Sequence, residues 1–375
     1  MKNKYYDGTR IDSTDADYRI IFGDRSNGKT YHVLLNGLVR WWESGERDMT
    51  AIIRRWNDDF IGENSSRTCY DSLNFNGEGV NMVTKITKNK YSSIHYWGGR
   101  FYLYTINDNG EEVRTDKYIG IAFSLNTWEH SKGGQFPFIT TILFDEFITR
   151  SRYLEDEFVI FSNVLSTIIR KREDKIVIYM CGNTINKYTC PYFSEMGLTR
   201  VDKMKRGEID IYQYGDSLLK VAVEYTSPTN VKTKASKYFA FDNPRLKMIT
   251  GQGDDTWELL LYPHCPHKFY RTDIVFTFFI IHDLHVCQCE VVEIDGATFV
   301  YIHRKSTPLK DEVNDLIYTR DPSHLPNHVM NIYRPVDDIT KKILSFFSAE
   351  KIFYQDNDVG EIVNAYLLSC KVSRA

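Results

Sequence analysis

One short stretch constrains this chain more than any other. Gly23-Asp24-Arg25-Ser26-Asn27-Gly28-Lys29-Thr30 fits the pattern G-x-x-x-x-G-K-[ST] at every fixed position. A short apolar run, Tyr18–Gly23, precedes it, and an amphipathic stretch follows to about Ser44, closed by Gly45. Strand, glycine-rich loop, helix is the context in which the pattern has mechanical meaning. Gly23 and Gly28 let the backbone curl so that its N–H groups converge on an anion. A helix starting near Lys29 turns its positive end toward the same point. The spacing therefore predicts a P-loop in which residues 23–30 cradle the phosphates of a nucleotide. Lys29 would reach the β- and γ-phosphates, and Thr30 would offer a hydroxyl to Mg²⁺.

Such a loop needs a second Mg²⁺-binding group on a neighbouring strand. Ile139–Phe147 (ITTILFDEF) supplies one, ending in Asp145 and Glu146. Adjacent carboxylates at the end of a buried strand need cationic compensation. Asp145 is expected in the Mg²⁺ shell and Glu146 as the general base that polarises a water. A base beside the metal ligand points to an ATPase with an additional strand between the two motifs. Lys175–Asn183 (KIVIYMCGN) is the candidate strand, with Asn183 within reach of the γ-phosphate. Between these motifs, Glu155–Arg172 has apolar residues at helical spacing and ends in Arg170, Lys171 and Arg172. Basic residues suit a last helical turn for its dipole alone. The alternative is an arginine finger offered to a neighbouring subunit's nucleotide, a role that fits a planar, permanently charged side chain.

Composition limits the remaining possibilities. The 375 residues are 42% hydrophobic and 26% charged, near the globular average, which argues against a disordered or fibrous chain and for two or three domains. Mean hydropathy is −0.40. The most apolar stretch, Ile274–Ile281, is too short to span a bilayer, and the first ten residues hold no apolar core. The expectation is a protein neither membrane-bound nor secreted. Its seven cysteines then read as reduced thiols. The 25 Tyr and 22 Phe suit broad, partly wet subunit interfaces. A net charge of −3 means that nucleic acid would have to be bound by a local patch.

With these residues in hand, the chain resembles the φ29-like bacteriophage DNA-packaging ATPases, terminase-like ring motors of the additional-strand, catalytic-glutamate (ASCE) P-loop class. The resemblance rests on ordered blocks: YRIIFGDRSNGKT, IIRRWNDDF (Ile52–Phe60), FSLNTWEHSKGGQFPFITTILFDEF (Phe123–Phe147), and STIIRKRED followed by KIVIYMCGN. It is clear over most of residues 18–190. It implies a ring, usually a homopentamer, docked on the portal vertex of a procapsid in the host cytoplasm. Such a ring drives double-stranded DNA inward with ATP and Mg²⁺, in some relatives with a structural packaging RNA. By position, Arg170 resembles the trans-acting finger and Arg172 a nearby substitute. Lys132, in SKGGQF, resembles a basic residue at the subunit interface. Arg54 and Arg55 match a conspicuous basic pair whose role is left unassigned.

For DNA contact, Lys85, Lys88 and Lys90 interleave with Tyr91, Tyr96 and Trp97, a loop-like pattern suited to sequence-independent phosphate contacts. A solvated hairpin is the bland alternative. The stretch 190–236 reads as a linker or lid subdomain, with a basic cluster at Lys203, Lys205 and Arg206. From 237 to 375 the pattern turns strand-rich. Asp273–Ile281, Val286–Glu293 and Ala297–His303 read as strands, followed by a helix Asp337–Ser348, a strand Lys351–Tyr354 and a helix Val359–Ser369. That order resembles an RNase H-like fold. The first of these strands carries no acid within IVFTFFII, where a two-metal nuclease needs one, although Asp356 and Asp358 could be remnants of a second position. The expectation is a degenerate nuclease domain used for docking. The alternative is a terminase-type enzyme that still cleaves DNA. His264, Cys265, His267, His282, His285, Cys287 and Cys289 are zinc-binding residue types, but not at standard ligand spacing. The reading overall is an α/β P-loop ATPase domain (1–189), a linker/lid (190–236) and an RNase H-like α+β domain (237–375).

Overall fold

The uninterrupted apolar runs of the first half become strands covered on both faces, as a parallel sheet requires. In the computed structural model the described residues are 6–24, 27–61, 67–75, 79–131, 134–149, 153–183, 190–215, 219–227, 262–266, 268–309, 311 and 313–372. The chain divides into two units, Met1–Ile185 with Lys203–Asp254, and Asn186–Asp202 with Asp255–Ala375. Among the described residues no helix is long and apolar enough to cross a membrane.

The first unit holds β1 (Tyr18–Gly23), β2 (Met49–Arg54), β3 (Ser93–Trp97), β4 (Arg100–Ile106), β5 (Glu112–Ser124), β6 (Ile139–Asp145), β7 (Val177–Asn183), β8 (Ile209–Tyr214) and β9 (Leu219–Tyr225). They form one nine-stranded sheet in the order β3-β4-β5-β2-β6-β7-β1-β9-β8. From β5 to β9 each neighbouring pair is parallel. Antiparallel partners close both edges: β3 and β4 beside β5, and β8 beside β9. β7 lies between β6 and β1, so an additional strand does separate the glycine-rich loop from the acidic pair. The helix Lys29–Glu43 buries Val33, Leu34, Leu38 and Trp41 against Ile21, Ile52, Leu143 and Tyr179 of the sheet. Its apolar positions follow the i, i+1, i+5, i+8 spacing of one helical face.

The expected subdomain over 190–236 does not form as such. Asn186–Asp202 belongs to the second unit, whereas β8 and β9 extend the first sheet. The reason is apolar burial. β9 is buried from Val221 to Tyr225 and pairs with β1 residue by residue, covering an edge that the P-loop strand would otherwise expose. The expected boundary at 237 lies outside the described residues.

The second unit contains β10 (Ile274–His282), β11 (His285–Ile294), β12 (Ala297–Arg304), β13 (Ile317–Thr319), β14 (His328–Val329) and β15 (Ile352–Tyr354). The sheet order is β14-β13-β10-β11-β12-β15. The antiparallel meander β10–β12 matches the three strands read from the sequence, and its second turn, Asp295-Gly296, has φ of 51° and 77° as a tight hairpin requires. The helices Asp338–Ser348 and Asn357–Val372 flank β15 in chain order, also as read. The pairing of β15 with β12, and of β13 and β14 beside β10, was not anticipated. Cys287 and Cys289 point into the core with Phe278, Ile280, Ile343 and Ile362. Burial pushes the Cys287 thiol up to about 12 and Cys289 well above its ordinary value, so both are small apolar side chains. Among the described residues no group of three or more His, Cys, Asp or Glu side chains gathers as a metal site; His267 lies outside them.

Each unit thus has its own core. Leu143→Ala and Phe278→Ala are expected to cost about 2–5 kcal/mol each. Native-state hydrogen exchange should show lost amide protection confined to the unit that carries the substitution.

Candidate functional site

Parallel strands present their carboxyl ends along one edge of the sheet, and ligands of open α/β sheets bind in the crevice outside those ends. Here the ends of β1, β7, β6 and β2 carry, in that spatial order, the glycine-rich loop, Asn183, Asp145 with Glu146, and Arg54 with Arg55. Adjacent strands lie about 4.8 Å apart. The site is therefore assembled by sheet order from positions far apart in sequence.

The loop leaves β1 at Gly23, where a Cβ would come within 1.8 Å of the Thr226 hydroxyl. Gly28 has a φ of 100°, which only glycine adopts without strain, and stands as N-cap of the helix Lys29–Glu43. With no side chain at the cap, the first helical amides have no capping group from that residue, and the positive helix end is open to an anion. Asn27 is fixed by donating to Thr226 Oγ1 at 3.0 Å. Lys29 is 5% exposed, and its ammonium donates to the carbonyls of Asp24 (2.6 Å) and Gly23 (3.4 Å) and to Oδ1 of Asn27 (3.1 Å) and Asn183 (3.4 Å). Burial lowers its pKa to about 8, with Asp145 and Asp24 opposing the shift.

At the end of β6, Asp145 accepts from the Thr30 hydroxyl at 2.8 Å through Oδ1 and from Arg54 at 2.8 Å through Oδ2. Arg54 also pairs with Glu146 Oε2 at 2.8 Å, and the two acids hold its pKa above the ordinary value despite burial. Glu146 has a φ of 60°, unusual for a residue other than glycine, and its side chain is 55% exposed. The neighbouring Arg55 does different work. It grips Glu157 with two bonds of 2.6 and 2.8 Å, donates to the carbonyls of Phe147 (2.8 Å) and Glu146 (3.3 Å), and lies 4.8 Å over the Tyr153 ring. The two adjacent arginines thus fix the acidic pair from both sides: Arg54 through its carboxylates, Arg55 through its backbone.

The donor set fits Mg²⁺. Two hard oxygens, Thr30 Oγ1 and Asp145 Oδ1, lie 2.8 Å apart. That separation suits adjacent corners of an octahedron with bonds of about 2.0–2.1 Å. The glycine loop with Lys29 fits a polyphosphate by charge and by its place at the N-terminal end of the helix Lys29–Glu43.

Other expected residues fall differently. Arg25, Ser26 and Lys132 lie outside the described residues. Arg170 follows the helix Glu157–Ile169, exposed, with no hydrogen bond or ion pair among the described residues. Arg172, its expected substitute, is engaged within the chain: it donates to the carbonyls of Phe136 (3.1 Å) and Ile139 and pairs with Asp174. The lysine loop is not a loop. Lys85 sits in the helix Met82–Ile86, Lys88 in the turn after it, and Lys90 is paired with Glu46 and lies over Trp42 and Tyr91. Tyr91 is buried and Tyr96 stacks on Phe60, so these aromatics are committed to packing. Lys85 and Lys88 remain exposed. Asp356 accepts from the amide of Val359 at 2.8 Å, holding the first turn of the last helix.

Sequence reasoning missed three participants: Arg54 as partner of both acids, Thr226 behind Gly23 and Asn27, and Arg206, which reaches Asp24 at 2.8 Å. A strand ending in Arg-Arg was a visible signal for the first. The other two sit on or beside β9, and nothing in their own neighbourhood marks that strand as the partner of β1.

Residues 1–214, more than half of the chain, match the Podovirus DNA encapsidation protein (Gp16) family. The DNA packaging protein of Bacillus phage phi29 is 24% identical over 223 residues, 59% of this chain and 57% of that protein. The DNA packaging protein of Bacillus phage B103 is 35% identical over 85 residues, 22% of this chain and 26% of that one. The alignments thus span at most a little over half the length of these curated relatives. Among solved structures, the bacteriophage Phi-29 viral genome packaging motor assembly matches with a TM-score of 0.57 and 18% identity, over 96% of this chain and 98% of that one. The Phi-28 gp11 DNA packaging motor matches with a TM-score of 0.54 and 17% identity, over 98% of both chains. These likenesses extend the shared fold over nearly the whole length, and the chain belongs to the Podovirus DNA encapsidation protein (Gp16) family.

Proposed function

We propose that this chain is a subunit of a ring ATPase that drives double-stranded DNA into a viral procapsid. The observation that carries this reading is the meeting of Lys29, Thr30 and Asp145 at the strand ends, with β7 between loop and acids, in a DNA encapsidation family. Residues 23–30 bind the phosphates of ATP, Thr30 and Asp145 hold Mg²⁺, and Glu146 takes the proton of the attacking water. Mg²⁺ held there by Thr30 and Asp145 would supply charge neutralisation to the phosphates. Asn183 orients the γ-phosphate or that water. Before it can do its work, Glu146 must leave Arg54, so the resting pair keeps the base off duty.

Arg170, exposed and without an intrachain partner among the described residues, is the residue offered to a neighbouring subunit's nucleotide, and Lys132 is kept as the interface residue that the resemblance implies. Lys85 and Lys88 are the remaining DNA-contact candidates of the sequence reading, and Lys90 is set aside because Glu46 holds it. The partners are a portal vertex, duplex DNA and further copies of this chain, a homopentamer being what the resemblance implies. Some relatives add a packaging RNA. The site of action is the procapsid portal in the host cytoplasm. The genome packaging motor assemblies that share the fold support a motor of several components that acts on DNA. The second unit is read as a degenerate RNase H-like domain used for docking. Its support is the meander β10–β12 followed, after the short strands β13 and β14, by helix, strand and helix, with no acid in the middle of β10. Terminase-type cleavage finds no support, since Asp356 is spent on a helix turn.

Glu146→Gln should retain ATP binding but lose DNA-stimulated hydrolysis by about 100-fold or more, measured as steady-state phosphate release with and without duplex DNA and procapsids. Arg170→Ala should bind ATP yet poison wild-type subunits when mixed with them. A rate that falls only in proportion to the mutant fraction would remove the trans role. The lowered pKa of Lys29 adds a pH signature. Its ammonium must be charged to hold the phosphates, so binding draws in a proton wherever the free site is neutral, above pH about 8. ATP affinity should fall with rising pH there, by up to about tenfold per unit. Lys29→Arg should flatten that slope, as read by binding titrations from pH 7 to 9.5.

A further inference from the structure

Arg206 belongs to the basic cluster at Lys203, Lys205 and Arg206, yet its side chain is largely enclosed. It reaches into the P-loop. Its Nη1 lies 2.8 Å from Oδ2 of Asp24, the residue between Gly23 and Arg25. Both side chains are enclosed, at 14% and 4% exposure. The guanidinium lies 5.6 Å from the Tyr225 ring centroid, and Tyr225 stacks on Phe22, the residue just before the loop. Asp24 is held from two directions: its backbone carbonyl accepts from Lys29 Nζ at 2.6 Å, and its carboxylate from Arg206. Its second oxygen, Oδ1, is buried and has no hydrogen-bond partner among the described residues. Gly207, next in the chain, is fixed at the same place by donating to the Tyr225 carbonyl and accepting from Arg10 at 3.0 Å.

This arrangement poses an electrostatic problem. A carboxylate built into a loop that receives a polyphosphate repels its ligand, and the enclosed site screens that repulsion poorly. We infer that Arg206 is a positioning residue of the phosphate loop, which cancels the Asp24 charge and so permits a polyanionic nucleotide to bind. The inference rests on the nucleotide-binding reading above and adds a residue to it from outside the motif. The same contact ties the loop to the segment entering β8. Lys203 is the first residue of that segment after the excursion through Asn186–Asp202.

The two halves of the idea separate by charge arithmetic. Arg206→Ala leaves Asp24 bare and should weaken Mg·ATP binding about ten- to thirtyfold, most strongly at low salt, with kcat at saturating ATP changed far less. Arg206→Lys should recover most of the loss. Asp24→Asn removes the charge itself, so it should bind at least as tightly as the wild type. The double substitution Asp24→Asn with Arg206→Ala should return to within about threefold of the wild type. The measurement is a titration of the full-length protein with Mg·ATP and Mg·ADP at two salt concentrations, with thermal melting to confirm the fold. Wild-type affinity in Arg206→Ala overturns the inference. A double variant as weak as Arg206→Ala also overturns it, because the contact is then a tether rather than a charge balance. If Arg206→Ala fails to fold, Asp24→Asn decides alone, and weakened binding there sinks the idea. Failure of the wild type to bind either nucleotide is a different result, and it takes down the P-loop reading with this inference.

Discussion

Lys29, Asp145 and Arg54 are 5–7% exposed and share one end of the first sheet. A single charge enclosed in this way costs several kcal/mol, so the arrangement of strands depends on how the three are satisfied. Asp145 is covered twice, by a hydroxyl and a guanidinium. Lys29 is treated differently: among the described residues its hydrogen-bond partners are neutral oxygens, two from the backbone and two from asparagines. A buried cation whose hydrogen bonds among the described residues all go to neutral oxygens, at the N-terminal end of a helix, is a site for an anion. That unmet demand is what the parallel strands β1, β7, β6 and β2 bring to one edge.

The acidic pair is governed by two neighbours in sequence that work on opposite sides. Successive side chains at a strand end point to opposite faces. Arg54 therefore meets the carboxylates of Asp145 and Glu146, while Arg55 meets the backbone that follows them and the buried Glu157. The left-handed backbone of Glu146 is kept in place by these bonds. Motion of the Glu146 side chain can occur without disturbing its main chain, since the guanidinium on each side holds a different part.

Much of this was legible because P-loop chemistry is written in contiguous residues. The fixed glycines, Lys29 and Thr30 are dictated by the turn and the ligand, and the Asp145–Glu146 pair stands out because acids rarely end a buried strand. The position of Asn183 followed from the demand for a strand between two motifs. The second meander was legible from its alternation and its Asp295-Gly296 turn. What failed was whatever depended on long-range pairing. Lys90 looked available until Glu46, distant in sequence, came beside it, and Arg172 looked like a finger until two carbonyls of the 136–139 turn took its guanidinium. β8 and β9 looked like a lid because their apolar pattern is short and interrupted by turns. Only pairing with β1 reveals them as sheet.

The chain crosses between its two units three times, and its second visit to the first unit supplies the strand beside the glycine-rich loop. Such threading sets a rule for inheritance. A single genetic crossover anywhere between 186 and 202 would join a β1 from one parent to a β9 from another. The hybrid would have to match residue for residue from Tyr18 to Phe22, and Thr226 would have to fit under a foreign Gly23. The nucleotide half and the remainder of this protein cannot be traded as cassettes. Phage recombination would have to exchange the interior segment with two crossovers, or inherit the whole chain intact.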